Sequence, residues 1–158
     1  RMPARRYWLV KSEPSVYSFQ ELQAEEGGEA EWDGVRNYAA RNTMRDDMQV
    51  GDGVLFYHSN SKPNAIVGYA VVSRSGYPDH TAWDPKSEHP DLKSTPEDPI
   101  WYMVDIKAEA LFRSPISLTQ VKFDNELKDM VLAKNSRLSV QSVTPKEWKV
   151  ILTMGMSE

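Results

Sequence analysis

Apolar residues along the chain fall into short runs bounded by glycine, proline and polar turn residues, a pattern that predicts β-strands. Residues 5–11 are aromatic and β-branched and stop shortly before Pro14. A Gly-Asp-Gly turn leads into the apolar run 54–57, and a second run, 65–74, follows after a polar turn. Because both runs are apolar and the turn between them is short, we predict two neighbouring central strands joined as a hairpin.

A further strand is predicted at residues 100–112, where Val104 and Ile106 alternate with Asp105 and Lys107. Such alternation gives a strand one buried face and one solvent-exposed face. Near the end of the chain, residues 135–143 favour a strand or a strand-like loop.

Three stretches have the spacing of a capping box, in which a Ser or Thr and a Glu or Gln three residues later satisfy helix-end amides. They begin at Ser18, Ser117 and Thr144, and the last has proline in the first helical position. Asn37 can cap another helix, which would end near Asp47. The pattern therefore predicts four short helices.

The order of these elements is unlike the strict alternation of a βαβ fold. It predicts an α+β domain with a mixed or antiparallel, strongly curved sheet and a few helices against it. We expect residues 1–158 to form a single domain, with residues 1–5 as a flexible tail. Residues 76–99 are rich in Pro, Asp, Ser and His, and we expect this long polar connection to be a functional loop.

The composition excludes several classes of protein. The chain has no cysteine, which excludes disulfides, thiolate metal sites and thiol nucleophiles and favours a cytoplasmic location. No run approaches the roughly 20 apolar residues that span a bilayer, so we expect no membrane association. The net charge of −4 argues against a protein that coats nucleic acid by bulk attraction. Any contact with nucleic acid would have to be local.

The sequence lacks the common catalytic motifs: a glycine-rich phosphate loop, H-E-x-x-H and G-x-S-x-G. His58 and Ser59 are adjacent at a strand end, so their side chains leave on opposite faces and cannot pair as base and nucleophile. His58 is expected to be structural or to line a pocket. The acidic and histidine residues of 76–99 match no metal-ligand spacing. We expect no cofactor and no metal.

Trp32 and Trp83 lie in polar loop sequence, where a large ring has little local reason to be buried. Each indole either plugs its loop or forms the wall of a flat pocket on which a planar ligand stacks. Arg41 and Arg45 lie one helical step apart. They form either a solvated helix face or, for Arg41 together with Arg36 and the first helix amides, a small anion site.

Five ordered motifs together resemble the EVE domain family of the PUA-like superfamily: YWLVKSEPSVYSFQEL, WDGVRNYAARNTMR, GDGVLFYHSN, IVGYAVVSRSGYPD and NSRLSVQSVT. The resemblance implies a PUA-like pseudo-barrel, a mixed curved sheet with short flanking helices. It also implies a non-catalytic reader of a modified base, notably a modified cytosine in DNA, or of modified RNA. The related YTH domains hold a methylated adenine in an aromatic cage.

The same resemblance implies a binding site with four parts: a turn that hydrogen-bonds the base edge, a cage indole, a wall beside it and an opposite wall. In that order the residues are Lys11, Ser12, Glu13 and Pro14; Trp32; Val35, Arg36 and Asn37; and Tyr57, His58, Ser59, Asn60, Tyr77, Pro78 and Asp79. Lys11 and Arg137 are implied to hold the flanking phosphate.

The expected partner is thus a modified nucleic acid, DNA or RNA, or a nucleotide-like ligand, and a monomer is favoured. Because the chain is acidic, a short single-stranded or flipped ligand fits better than a long duplex footprint. Two alternatives stay open. One is an RNA- or nucleotide-processing enzyme with His58, Asp79 or Lys11 as acid–base groups. The other is a protein-interaction module that uses its acidic faces.

Overall fold

A six-stranded β-sheet forms the centre of the computed structural model, which describes residues 4–134 and 137–158. The strands are β1 (Tyr7–Ser12), β2 (Glu29–Glu31), β3 (Gly53–His58), β4 (Ala65–Pro78), β5 (Tyr102–Ser117) and β6 (Val140–Val143). Their order across the sheet is β2-β5-β4-β3-β1-β6. Because β1 runs parallel to β3 while the other neighbours are antiparallel, the sheet is mixed, as the sequence predicts.

The curvature of the sheet has a local cause in its two longest strands. The register between β4 and β5 shifts repeatedly along their length, which marks bulges or irregular pairing. A bulge bends its strand and increases the local twist. The curved α+β architecture expected from the sequence is therefore confirmed.

Short helices lie beside the sheet. They are α1 (Phe19–Ala24), α2 (Tyr38–Asn42), α3 (Leu118–Phe123), α4 (Val131–Lys134) and α5 (Pro145–Gly155). Capping boxes at Ser18, Ser117 and Thr144 begin α1, α3 and α5, and Asn37 caps α2. The four predicted helix starts are confirmed. The α2 helix continues as a π-helix, Thr43–Asp47.

The hydrophobic core consists of two clusters, one on each face of the sheet. Trp8 and Val10 of β1 belong to the first cluster, together with residues of α1 and α2. Leu9, between them, belongs to the second cluster, together with residues of α3, α4 and α5. Since successive side chains of a strand point to opposite faces, helices cover both sides of the sheet.

The structure differs from the sequence-based expectation in several elements. The short strand β2 and the helix α4 were not predicted, and β5 extends to Ser117. The strand β4 extends to Pro78, so the first residues of the expected loop 76–99 belong to the sheet. Part of the expected tail, residues 1–3, lies outside the described residues. Within the described residues, no helix is long and apolar enough to cross a membrane.

Candidate ligand-binding cleft

An open cleft of about 850 Å³ lies where the end of β1 approaches β2 and the polar loop that precedes β5. It is called the Trp32 cleft here. Its walls are Lys11, Ser12, Val16 and Tyr17 after β1; Glu25; residues 29–36; Ser87, Glu88 and His89 of the polar loop; and Ser139.

Trp32 both packs against the core and lines the cleft. Its ring centroid lies 5.4 Å from that of Phe56 and 6.2 Å from that of Tyr17, each in an edge-to-face arrangement. Its backbone N–H donates to the Val104 carbonyl at 2.8 Å, which extends the pairing of β2 with β5. The indole is thus fixed in orientation while part of it stays accessible in the cleft.

Asp79 lies behind the cleft and fixes the position of the chain segment that follows Trp32. This fully buried carboxylate accepts the backbone N–H of Gly34 at 2.9 Å and a guanidinium N–H of Arg36 at 2.9 Å. Thr81 donates both its amide and its hydroxyl to the other carboxylate oxygen. Burial alone would raise the pKa of Asp79, but the bonds from Thr81, Arg36 and Gly34 together lower it below its ordinary value.

Gly34 occupies a position that other residues fit poorly. Its φ is +80°, and a Cβ there would lie 2.5 Å from the Cδ2 atom of His89. Arg36 donates to the His89 carbonyl at 2.7 and 3.2 Å, which ties the polar loop to the same segment. The loop therefore forms one wall of the cleft in a defined position.

Most charged side chains that line the cleft are acidic. The carboxylates are Glu25, Glu29, Glu31, Asp33 and Glu88, against the cations of Lys11 and Arg36. Burial, and then the charge of Asp79, raises the pKa of Asp33. Burial lowers the pKa of Lys11. Because ionised carboxylates only accept hydrogen bonds, the cleft favours a ligand that presents N–H groups and disfavours a phosphate inside it.

Glu31 is held by a hydrogen-bonded network at the rim. The Tyr77 hydroxyl donates to Glu31 at 3.2 Å and also contacts the Asp105 carboxylate. The Nε2 atom of His80 lies 2.9 Å from the Glu31 carboxylate. Burial first, and then the bond to Asp105, raises the pKa of Tyr77. Tyr77 thus supports a cleft residue without lining the cleft itself.

Of the residues assigned to the site by sequence, the structure brings five to the cleft walls. They are Lys11, Ser12, Trp32, Val35 and Arg36. Tyr77 and Asp79 lie behind the walls and hold cleft residues in place. Other assigned residues do not line the cleft: Glu13, Pro14, Asn37, Tyr57, His58, Ser59, Asn60, Pro78 and Arg137. Trp83, in the loop, does not line it either.

The positions of several assigned residues have local explanations. His58 is buried and its Nε2 accepts the Phe19 amide at 3.1 Å, with burial lowering its pKa. Tyr57 is buried in the second core cluster. Asn37 caps α2 by accepting the Ala40 amide at 3.0 Å. The Ser59 amide donates to the Ser12 carbonyl at 3.0 Å. Ligand contact by these residues stays a prediction.

Sequence reasoning missed most of the acidic wall and the loop residues 87–89. The run of glutamates and aspartate in residues 25–33 was visible as a local acidic signal around Trp32. The position of this acidic run in the cleft depends on β2, which pairs with β5 and places Glu29 opposite Lys107.

Comparison with known proteins gives consistent results over nearly the whole chain. A sequence model described as EVE domain matches residues 6–154. Thymocyte nuclear protein 1 of Mus musculus is 38% identical, over 96% of this chain and 74% of the relative. A hypothetical protein from Leishmania major has a TM-score of 0.90 at 47% identity, over 96% of this chain and 95% of that one. The human THYN1 protein, solved in complex with 5-methylcytosine-containing DNA, has a TM-score of 0.88 at 35% identity, over 97% of this chain and 99% of that one.

Proposed function

The chain belongs to the EVE domain family, and on this premise we propose that it is a non-catalytic reader that binds a modified cytosine of DNA in the Trp32 cleft. The observation that carries the proposal is the fixed indole of Trp32, which is packed on Phe56 and Tyr17 and lines a cleft of about 850 Å³. A preoriented ring gives a flat surface for a base at little conformational cost.

The energetics of base extraction fit this arrangement. Flipping a nucleotide out of a duplex costs a few kcal/mol. Stacking on an aromatic side chain contributes about 1–3 kcal/mol per base, and hydrogen bonds to the base edge add to it. The indole and the polar groups around it can therefore offset the cost of flipping.

The acidic walls favour a base that carries an amino group. Cytosine presents its N4 amino group as a donor, whereas thymine presents the O4 acceptor at the same position. A carboxylate such as that of Asp33, directly after Trp32, accepts from the amino group and repels the carbonyl oxygen. The phosphates of the bound strand would stay outside the acidic cleft.

The comparison with the human THYN1 protein supports DNA with a modified cytosine as the ligand class, since that protein was solved with 5-methylcytosine-containing DNA. The alternative of an enzyme has less support. Of the three acid–base candidates, His58 already accepts the Phe19 amide and Asp79 is buried with its oxygens engaged. The expected cytoplasmic location and monomeric state remain predictions.

The proposal is tested by titrating labelled single-stranded and duplex DNA that carries one central 5-methylcytosine, with cytosine and thymine at that position as comparisons. A matching RNA series decides between the two nucleic acids. We expect the tightest binding with the methylated DNA and a loss of at least about fivefold in Trp32→Ala. Trp83→Ala, which alters an indole outside the cleft, is the matched control.

Two results would overturn the proposal. The first is equal binding of the methylated and unmethylated strands by the parent protein. The second is an unchanged affinity of folded Trp32→Ala for the methylated strand. Preferential binding of the RNA series would replace DNA by RNA as the ligand.

A further inference from the structure

Two stacked aromatic rings lie between two arginine side chains, and these four side chains form a column that leads from the Trp32 cleft to the protein surface. The guanidinium carbon of Arg36, a cleft residue, lies 5.6 Å from the ring centroid of Trp101. The ring of Tyr38 stacks on Trp101 with 4.9 Å between the centroids and 29° between the planes. The guanidinium carbon of Arg41 lies 4.9 Å from the centroid of Tyr38.

Tyr38 is exposed although its support is rigid. The residue is 60% exposed, whereas Trp101 beneath it is 5% exposed. Trp101 is fixed by a hydrogen bond from its Nε1 to Asp91 at 2.8 Å. Tyr38 itself is the first residue of α2, directly after the cap Asn37. Because Trp101 and the Arg41 guanidinium lie against the ring of Tyr38, its exposed part is a preoriented edge that can contact another planar group in an edge-to-face arrangement.

Arg41 is oriented by neutral groups only. Its Nη1 donates to the Ile100 carbonyl at 2.9 Å, and its Nε and Nη2 donate to the Asn42 side chain at 3.1 and 2.8 Å. A guanidinium has five N–H donors, so two remain after these three bonds. Among residues 4–134 and 137–158, no carboxylate forms an ion pair with Arg41. Asp46 interacts with the charge of Arg41 electrostatically but forms its ion pair with Arg45, so the Arg41 guanidinium can still bind an anion from outside.

The neighbouring pair of Arg45 and Tyr102 is a similar contact between an arginine and an aromatic ring, but one whose role is structural. Arg45 also lies over a ring, with its guanidinium carbon 5.7 Å from the centroid of Tyr102. Its charge, however, is neutralised by Asp46 at 2.8 Å. Arg36 is likewise paired, with Asp79. Arg41, in contrast to Arg36 and Arg45, forms no ion pair among the described residues. Its ring partner Tyr38 is also the one largely exposed ring among the partners of these three arginines.

We propose that Tyr38 and Arg41 form an outer subsite for the nucleotide next to the one in the Trp32 cleft. Tyr38 packs against the base of that nucleotide and Arg41 binds its phosphate. This inference rests on the proposed function, because it requires a nucleic acid strand that leaves the cleft past Arg36. It explains how an acidic cleft binds a polyanion: the base enters the cleft and the phosphate is held on the column outside it.

The test compares two ligands and three variants. The ligands are a short single-stranded DNA with a central 5-methylcytosine, and 5-methyldeoxycytidine, which fills the cleft alone. Tyr38→Leu keeps an apolar cover on Trp101 but removes the ring, and Arg41→Gln removes the charge. Lys122→Gln is the matched control, since it removes one exposed cation from α3, on the opposite side of the sheet.

We expect Tyr38→Leu to weaken binding of the strand about two- to tenfold, the range for one edge-to-face aromatic contact. Arg41→Gln should weaken it too and reduce the slope of log K against log salt concentration by about 0.7, the value for one phosphate of a single strand. Neither change should alter the affinity for the nucleoside. Lys122→Gln should leave the affinity for both ligands and the salt slope unaffected.

The outcomes separate this inference from the proposed function. Circular dichroism first establishes that Tyr38→Leu and Arg41→Gln are folded. If the parent protein prefers the methylated strand and both variants bind that strand as tightly as the parent does, the outer subsite is refuted and the reader function stands. If the parent binds strands regardless of methylation and the variants weaken them, the subsite stands and the reader function fails. If the parent binds no strand, both are refuted.

Discussion

The guanidinium of Arg36 forms a 2.9 Å ion pair with the buried carboxylate of Asp79, and this pair joins the wall of the Trp32 cleft to the end of strand β4. The same carboxylate accepts the Gly34 amide, so one residue behind the cleft fixes two positions in its wall. Asp79 is therefore expected to act on ligand binding through the shape of the cleft.

Asp79→Asn should destabilise the fold by about 2 kcal/mol at neutral pH, because an amide supports the Arg36 charge less well than a carboxylate. The pKa of Asp79 is lowered in the folded protein, so its ionised form stabilises the fold above the ordinary value of 3.8. That contribution is lost as the pH falls through the lowered pKa. Denaturant unfolding of parent and variant should thus give a difference that is largest near pH 7 and shrinks below pH 3.8. A difference that is constant with pH would contradict this role.

Gly34→Ala should destabilise the protein and impair the cleft, since the residue has a φ of +80° and a Cβ would meet the His89 ring. Gly51→Ala is a matched control, because Gly51 has a φ of +94° with no atom within 4 Å of a Cβ. Both variants should lose about 1–2 kcal/mol from backbone strain. Only Gly34→Ala should also weaken ligand binding, measured by titration. Equal binding by the two variants would show that the polar loop adapts without cost to the cleft.

His58 should make folding depend on pH through its bond to α1. Its Nε2 accepts the Phe19 amide, so the ring must be unprotonated at that nitrogen, and burial lowers its pKa below the ordinary 6.5. Since the unfolded chain then binds the proton more readily, stability should fall as the pH drops below about 6.5. His58→Ala should cost about 1–3 kcal/mol at pH 7.5 and less at pH 5, measured by denaturant unfolding. Unchanged ligand affinity in this variant would separate His58 from the cleft, and a specific loss of affinity would place it in the site.

The parts of the fold that follow from local chemistry could be predicted from the sequence. The capping boxes at Ser18, Ser117 and Thr144 involve groups only three residues apart, and each begins a helix as expected. The strand β2 could not be predicted, because its three residues lack an apolar pattern and are ordered by pairing with β5 far along the chain. Long-range pairing of this kind leaves no periodicity in the sequence.

The candidate site likewise has residues that could be predicted from the sequence and residues that could not. Trp32 stood out because a large ring in polar sequence is unusual, and the structure places it in the cleft. Residues of β3 were harder to assign, since every residue of that strand is buried and its sequence does not distinguish one face from the other. The support from Asp79 depends on a bond to Gly34 across 45 positions of the chain. Only the folded arrangement reveals such a contact.

The acidic wall of the Trp32 cleft should set the choice between cytosine and thymine, and Asp33→Asn should reduce that choice. An asparagine amide can donate to the O4 of thymine as well as accept from the N4 of cytosine, so the penalty against thymine disappears. We expect the ratio of the two affinities to fall at least about fivefold, in keeping with the lower range for discrimination by one good base contact. Glu109→Gln, which removes an exposed charge outside the cleft, should leave the ratio unchanged.

Burial and the charge of Asp79 raise the pKa of Asp33, so a protonated Asp33 should imitate asparagine at acidic pH. The parent protein should therefore lose its discrimination as the pH falls towards this raised value, while Asp33→Asn should show a smaller dependence on pH. A parent and variant with the same ratio at neutral pH would assign the choice of base to another group.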